Sequence, residues 1–344
     1  MKLKRLGLVS RMLTVFLVTL LLVGVGAFSG AGQQHSRPGA GMTFYFLSNG
    51  MAGDPFWAVA QAGAERAADI LGLKIITQYY AGDAAKAMTL MEEIIAAKPD
   101  GILVSVTRIE ALRPGFERAH AEGIPVVTVI NDIDAPRLAY FGPTPTTGEG
   151  FLMQGYPVGV AVRDLIPNGA HILMSGEFPA EPYCGGFDQT TQRSGRFGGF
   201  LNSLDEIGLT YTYEVLDAGY ETAATEAAIT TYLVAHPETK VAYSGGGLTT
   251  ERTGVAVKRL GYAPGEIIVA GFDLLPETIT TLREEYTQAI GLQQQGFCLF
   301  NAVMSLYNAV AYPGFTLADY NMGLGIVTPD NVEQFIKFVD QGIM

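Results

Sequence analysis

Strand-like and helix-like segments alternate along this chain from residue 42 onward, and the alternation runs through twice. The first series starts with a strand at 42–47 and ends with a short strand at 138–141. The second series begins with a helix at 148–165 and extends to a helix at 296–310. Such alternation is typical of parallel sheets that helices cover on both faces. Two consecutive series of similar size therefore predict an α/β fold with two Rossmann-like lobes.

Composition and charge agree with this fold and exclude some partners. Hydrophobic residues make up 48% of the 344 residues and charged residues only 16%, which suits sheets buried between helices. The length allows two domains with cores of their own. The net charge of −12 argues against a nucleic-acid partner and against binding to an anionic membrane surface.

The N-terminal segment has the order of a secretory signal peptide. Basic residues precede an apolar run from Met12 to Phe28, and small residues follow it. We expect a signal peptide at 1–31 and a linker at 32–41, and after cleavage a periplasmic or otherwise extracytoplasmic protein. The alternative is an uncleaved membrane anchor, because the run is close to the shortest length that spans a bilayer.

The chain has two cysteines, Cys184 and Cys298. An exported protein can oxidise such a pair to a disulfide. The two residues lie far apart in the sequence and in different elements, so two unpaired thiols are an equal alternative and the pairing stays open.

The loop at 49–57 combines a carboxylate with two adjacent large aromatics. It follows the first strand, and ligands of open α/β sheets bind beyond the carboxyl ends of the strands. Asp54 beside Phe56 and Trp57 suits a polyhydroxylated molecule, since hydroxyls need charged hydrogen-bond partners and sugar C–H faces need an aromatic surface. Asp54 and Pro55 are also a good N-cap and first helical residue, so a plain helix start with two core aromatics is the alternative.

The mature chain shows no motif of an activated catalytic group. It lacks a G-x-S-x-G elbow, an H-E-x-x-H helix and a Walker loop. Its histidines have no ligand-spaced partners, and each is predicted to be structural or solvated: His35, His120, His171 and His236. The turn Ser244–Gly247 is only a weak candidate for an anion cradle. We therefore predict that the protein is not an enzyme and uses no cofactor and no metal.

Six segments, in order along the chain, match one family. They are Asp54–Trp57 (family pattern N-P-F-F/W), Gly123–Thr128, Arg196–Phe200 (R-x-x-G-F), Ala235–Glu238 with Val241–Tyr243, Val269–Asp273 (V-x-G-F-D) and Gln288–Gln295. The chain resembles the ribose/galactose-like type I periplasmic sugar-binding proteins of bacterial ABC importers, whose fold also forms the sensor half of LacI-type repressors. The resemblance covers residues 42–344 and implies two lobes joined by a three-segment hinge.

The resemblance implies ligand contacts from the first lobe. Asp54, which stands where the family has Asn, would accept hydroxyl hydrogens. Phe56 and Trp57 would flank the sugar ring. Further polar contacts would come from the loops after later strands. Ser105 would supply one of them, and either Asn131 or its neighbour Asp132 would supply another.

The resemblance also implies contacts from the second lobe and the hinge. Arg196 would donate hydrogen bonds to ring or hydroxyl oxygens, and Asp273 would accept hydroxyls. Tyr220 would be the second-lobe aromatic, and Gln293 would lie at the hinge. Two departures from the family indicate a pocket unlike a plain ribose or galactose site: Gly246-Gly247 in place of a polar pair, and a long loop at 175–195.

The lobes and the hinge have predicted boundaries. The lobes comprise 42–142 plus 295–322 (N-terminal) and 143–294 plus 323–344 (C-terminal). The hinge segments lie near 142–144, 292–295 and 322–326.

The implied function is capture of a monosaccharide, polyol or similar small hydroxylated ligand between the lobes, followed by delivery to the membrane permease of an ABC importer. The expected state is a monomer. Two alternatives stay open, namely a periplasmic sugar sensor for a receptor kinase or chemoreceptor, and a secreted α/β enzyme. A DNA-binding regulator is disfavoured, because a signal-like segment stands where a helix-turn-helix would be and the chain is acidic.

Overall fold

The structure is a computed structural model that describes residues 36–106, 109–131, 139–142, 148–176, 195–219 and 221–340. The elements below lie in one compact unit, Pro38–Met344. Within the described ranges, no helix is both long enough and apolar enough to cross a membrane. Some sequence predictions fall outside the described residues: the signal peptide at 1–31, Asp132, Tyr220 and Cys184.

A six-stranded sheet with parallel pairing throughout forms the centre of the N-terminal lobe. Its strands are β1 (Thr43–Ser48), β2 (Lys74–Tyr79), β3 (Gly101–Val104), β4 (Val126–Val129), β5 (Ala139–Gly142) and β11 (Tyr320–Asn321), in the order β11-β5-β4-β3-β1-β2. Helices α1 (Pro55–Leu71) and α9 (Gln295–Ala311) cover one face of this sheet. Helices α2 (Ala84–Ala96) and α3 (Ile109–Ala121) cover the other face.

A second six-stranded sheet forms the centre of the C-terminal lobe. Its strands are β6 (Ala170–Gly176), β7 (Tyr211–Asp217), β8 (Thr239–Ser244), β9 (Ile268–Phe272), β10 (Ala289–Leu292) and β12 (Gly325–Val327), in the order β12-β10-β9-β8-β6-β7. Its pairs are parallel except that β12 runs antiparallel to β10.

Helices cover both faces of the second sheet as well. Helix α4 (Gly148–Val162), which a 3-10 turn at Arg163–Leu165 extends, packs with α5 (Gly195–Glu206) on one face. The other face is covered by α6 (Thr222–Ala235) and α7 (Gly247–Arg259). The remaining helices pack beside β10 and β12: α8 (Pro276–Arg283) and α10 (Val332–Asp340). The predicted fold class, two α/β lobes with helix-covered and mainly parallel sheets, is confirmed.

The connections between the two sheets leave from carboxyl ends of strands. In the first sheet, β5 ends at Gly142 before α4, and β11 ends at Asn321 before β12. In the second sheet, β10 ends at Leu292 and leads into α9. Strand β12 starts beside that end, because Gly325 pairs with Leu292. The carboxyl ends of both sheets are thus tethered together, and the exact lobe and hinge boundaries stay a prediction.

Local sequence explains the bounds of α1, which were predicted as 55–71. Asp54 caps the helix by accepting a hydrogen bond from the Phe56 N–H at 2.9 Å. Pro55 occupies the first turn, where its missing N–H is no loss. Gly72 takes a left-handed φ of 74° and its N–H donates to the Ala68 carbonyl, which ends the helix.

Some elements differ clearly from their prediction. Helix α3 was predicted from residue 114 but begins at Ile109, with Pro114 inside it; burial of Leu112 against the first sheet outweighs the lost N–H. Helix α7 begins at Gly247 rather than Thr250. Strands β11 and β12 were not predicted as strands, because two or three residues are too few to show a periodic pattern.

Helices α1 and α9 pack very closely because each has a glycine at the contact. A β-carbon on Gly63 would overlap the carbonyl group of Gly296. The contact joins the helix that follows β1 to the helix that follows β10, so it secures the return of the chain to the first lobe.

Cys298 is a free thiol on the buried face of α9. Its sulfur donates a hydrogen bond to the Phe141 carbonyl, and burial raises the pKa of the thiol to about 12. The thiol therefore stays protonated at neutral pH.

Candidate ligand-binding site

Arg196 is the centre of a buried polar network at the carboxyl ends of the second sheet. It lies in the first turn of α5 and is only 6% exposed. Its Nε–H donates to Gln154 Oε1 at 2.9 Å, Nη1 donates to the Gly245 carbonyl at 2.6 Å, and Nη2 donates to Gln293 Oε1 at 2.6 Å. These bonds use both edges of the guanidinium and fix its plane.

Asp273 extends this network through Gln293. The Gln293 Nε2 group donates to Asp273 Oδ1 at 2.9 Å, so the amide bridges the guanidinium and the carboxylate. Asp273 directly follows β9 with a left-handed φ of 67° and is 2% exposed. A β-carbon at Gly247 would lie 2.8 Å from Asp273 Oδ2. Gly247, the second residue of the glycine pair that departs from the family pattern, thus gives space to the Asp273 carboxylate at the start of α7.

Two aromatic residues contact Arg196 and fix its position. The guanidinium carbon lies 3.8 Å from the centre of the Phe272 ring, a cation–π contact in a buried site. The Tyr243 hydroxyl donates to the Arg196 carbonyl at 3.1 Å. Burial raises the pKa of Tyr243, so this hydroxyl keeps its proton. The charged side chain is therefore positioned before any ligand arrives.

A second polar cluster lies at the carboxyl ends of the first sheet. Asn49, Tyr80 and Ser105 directly follow β1, β2 and β3. The Ser105 hydroxyl donates to Asn49 Oδ1 at 2.7 Å, and the Ser105 carbonyl accepts from the Tyr80 hydroxyl at 2.7 Å. The Ser105 side chain is buried and its orientation is set by Asn49.

The two adjacent aromatics of α1 have different environments. Trp57 is 4% exposed and packs in the core with Phe46, at 6.1 Å between ring centres. A β-carbon at Gly50 would overlap its indole ring. Phe56 is half-buried and meets Trp57 edge to face at 5.0 Å. Phe56 is thus the more accessible of the two, and contact of Trp57 with a ligand stays a prediction.

The helix face explains this difference. The buried face of α1 comprises Trp57, Ala60, Gly63, Ala64, Ala67, Ala68 and Leu71. Ile70, in the last turn of the same helix, is 55% exposed. A stripe that starts at Trp57 recurs at intervals of three and four residues, and this turns Phe56 and Ile70 to its edge.

Asn131 is the second residue after β4 and is buried. Ile130 before it has a left-handed φ of 67°, and its carbonyl accepts from the Tyr140 hydroxyl at 3.1 Å. Asp132 and Tyr220 lie outside the described residues. The choice between Asn131 and Asp132, and the role of Tyr220, stay predictions.

The structure adds residues that the sequence analysis did not assign to the site. Asn49 stood in the loop already singled out, so its place after a strand was a usable signal. Gln154 lies in an apolar helix and Phe272 in a buried strand, where no local pattern distinguishes them from core residues. Only their contacts with Arg196 show their role.

The arrangement provides hydrogen-bond donors and acceptors beside an aromatic face, at strand ends that the fold tethers together. Two α/β lobes joined in this way define the class of two-lobed binding proteins. The sequence profile of the periplasmic binding protein domain family matches residues 44–313, and the chain belongs to this family. The resemblance drawn from the sequence motifs is confirmed, and the family is one of binding proteins rather than enzymes.

Relatives with named ligands have low sequence identity to this chain, but the alignments cover most of both proteins. The chain is 23% identical to the xylose/arabinose-binding protein XylF of Sulfolobus acidocaldarius, over 84% of the chain and 71% of the relative. It is 24% identical to the ribose import binding protein RbsB of Bacillus subtilis, over 72% of the chain and 75% of the relative. A carbohydrate transporter structure from Acidothermus cellulolyticus in complex with myo-inositol has a TM-score of 0.71 at 22% identity, over 88% of this chain and 99% of that one.

Proposed function

We propose that the protein is an exported solute-binding protein that captures a monosaccharide, polyol or similar small hydroxylated molecule between its lobes. It delivers this ligand to the membrane permease of an ABC importer. The protein acts as a monomer, and the N-terminal segment 1–31 directs its export. The relatives that bind or import xylose, arabinose, ribose or myo-inositol support this class of ligand.

One observation supports the proposal most strongly, namely the buried network of Arg196, Gln293 and Asp273. It places N–H donors and carboxylate acceptors together, and a sugar hydroxyl needs both because it donates and accepts. The groups hold one another in place, so little side-chain freedom is lost on binding. Phe56 at the first sheet supplies an aromatic surface for the apolar face of a sugar ring.

The sheet connections support closure around the ligand. The short segments after β5, β10 and β11 join the two lobes at the edge where these polar groups lie. Ligand contacts from both lobes favour the closed arrangement, as in hinge-type binding proteins. The closed form is the one that the permease recognises.

A thermal-unfolding screen tests the proposal. The chain is heated with xylose, arabinose, ribose or myo-inositol, and product analysis follows each incubation. At least one compound is expected to raise Tm in a saturable way, because a ligand at 100 times its Kd stabilises by about 2.7 kcal/mol. Sucrose serves as a control for the non-specific effect of excluded osmolytes. Stabilisation by none of a wider set of sugars and polyols, or conversion of any of them, contradicts the proposal.

Phe56→Ala is expected to weaken binding of the ligand found in the screen by at least about tenfold, which corresponds to about 1.4 kcal/mol. The reason is loss of the aromatic surface at the first sheet. Trp57→Ala is the matched variant: it removes a core side chain, so it is expected to lower the free energy of unfolding by about 3 kcal/mol or more. Isothermal titration and chemical denaturation measure the two effects. An unchanged affinity in Phe56→Ala would remove this residue from the site.

A further inference from the structure

Three potential metal ligands from separate elements meet on the outer side of the C-terminal lobe. His171 is the second residue of β6, Glu214 is in β7, and His236 follows α6. One ligand atom from each lies within 4.8 Å of the others. His171 and His236 are half-buried, while Glu214 is exposed, so a solvated ion has access to the group. Sequence spacing gave no sign of this cluster, because β-strand pairing and α6 bring its members together.

The hydrogen bonds of His236 orient one of its nitrogens toward Glu214. Nδ1 lies 3.0 Å from Glu238 Oε1. Since a carboxylate only accepts hydrogen bonds, Nδ1 carries the hydrogen, and in the neutral ring Nε2 carries a lone pair. That nitrogen lies 3.9 Å from Glu214 Oε2.

His171 presents its ring to the same space. Nδ1 lies 2.9 Å from the Thr212 hydroxyl and Nε2 lies 2.8 Å from the Tyr232 hydroxyl. The Tyr232 hydroxyl also hydrogen-bonds Glu214. One tyrosine hydroxyl thus lies between His171 and Glu214.

We propose that His171, Glu214 and His236 bind a Zn²⁺ ion on the outer side of the C-terminal lobe. Two imidazoles and a carboxylate are a donor set that suits zinc, whereas Ca²⁺ and Mg²⁺ prefer oxygen ligands. Glu238 accepts a hydrogen bond from His236 Nδ1 and orients its ring, as carboxylates do in histidine metal sites. Water completes the coordination.

The ligand atoms, which lie within 4.8 Å of one another, have to move closer together around the ion. Tetrahedral bonds of about 2.0–2.1 Å place two ligand atoms roughly 3.3 Å apart. The 3.9 Å between His236 Nε2 and Glu214 Oε2 is close to this value, and the Glu214 side chain stands on the exposed edge strand β7 and is free to adjust its rotamer. The Tyr232 hydroxyl gives up its place between His171 and Glu214 when the ion enters.

The site is separate from the proposed sugar site. His171 is near the amino end of β6, whereas the polar network around Arg196 lies at the carboxyl ends of the same sheet. A bound ion would tie the edge strand β7 to β6 and to the end of α6. Its expected consequence is a more stable C-terminal lobe with unchanged sugar binding.

Calorimetric titration of the untagged, chelator-treated chain with ZnCl₂ tests this proposal. One Zn²⁺ is expected per chain, with a rise in Tm, and CaCl₂ is expected to give neither. His171→Gln and His236→Gln are each expected to lower the affinity for Zn²⁺ by at least about tenfold, since each removes one of three protein ligands. His120→Gln on α3 is the matched control and is expected to bind as the wild type does.

Glu214→Gln provides a second route if either histidine variant folds poorly. Its side chain is exposed, so the fold tolerates the change, yet it replaces a charged ligand with a neutral amide. Weakened Zn²⁺ binding in this variant supports the site. Absence of stoichiometric Zn²⁺ binding by the wild type overturns the proposal, as does unchanged affinity in Glu214→Gln and His236→Gln.

Discussion

Arg196→Met is expected to abolish the stabilisation of the protein by its sugar or polyol and to weaken binding more than about 100-fold, or 2.8 kcal/mol. Methionine keeps much of the bulk but removes every donor of the guanidinium. Buried acceptors on Gln154, Gly245 and Gln293 each lose the hydrogen bond that Arg196 donates. A buried acceptor without a partner costs about 1–3 kcal/mol, so the free energy of unfolding is expected to fall by about 3 kcal/mol as well.

Two measurements separate the effects of Arg196→Met. Chemical denaturation gives the loss of stability, and calorimetric titration at a temperature where the variant is folded gives the loss of affinity. Arg163→Met is the matched control, because Arg163 forms a surface ion pair with Glu206 at 2.8 Å. This control is expected to bind the ligand normally. A folded Arg196→Met variant with wild-type affinity would show that Arg196 is only a structural residue.

Gly63→Ala is expected to lower the free energy of unfolding by about 3 kcal/mol, although alanine is the better helix former by about 1 kcal/mol. A β-carbon at this position would overlap the Gly296 carbonyl group. The backbone fixes the position of the new β-carbon and of the Gly296 carbonyl, so no change of side-chain rotamer relieves the clash. Helices α1 and α9 have to move apart, and the core of the first lobe between them loses its packing.

Ala62→Gly is the control for helix propensity at the neighbouring exposed position. It is expected to cost about 1 kcal/mol, the ordinary difference between glycine and alanine in a helix. Urea denaturation of both variants gives the comparison. If Gly63→Ala is as stable as the wild type or more stable, the close approach of α1 and α9 is not a packing constraint.

Much of the fold was accessible from local sequence. Helix α1 has its predicted bounds, since capping by Asp54 and Gly72 is a local signal. Elements with conflicting signals were placed less well. Pro114 suggested a helix start that the packing of Leu112 overrode, and β12 became a strand only because β10 offered an edge to pair with.

The candidate site was accessible only in part. Motif resemblance indicated Arg196, Asp273 and Gln293 one by one, and the structure joins them in a single network. Their contacts with a ligand stay a prediction. The sequence treated Phe56 and Trp57 as equivalent, whereas the helix phase places Trp57 in the core and Phe56 at its edge.

The sequence by itself determined the alternation of elements, the helix starts, the acidic surface and the family motifs, because each is written in residues a few positions apart. Only the tertiary structure decided what long-range pairing controls. It brought Gln154 and Phe272 to the Arg196 guanidinium, and it assembled His171 and His236 with Glu214 across β6, β7 and α6. These contacts depend on strand order and helix packing. Interactions between residues distant in the chain determine both, so no local sequence pattern predicts them.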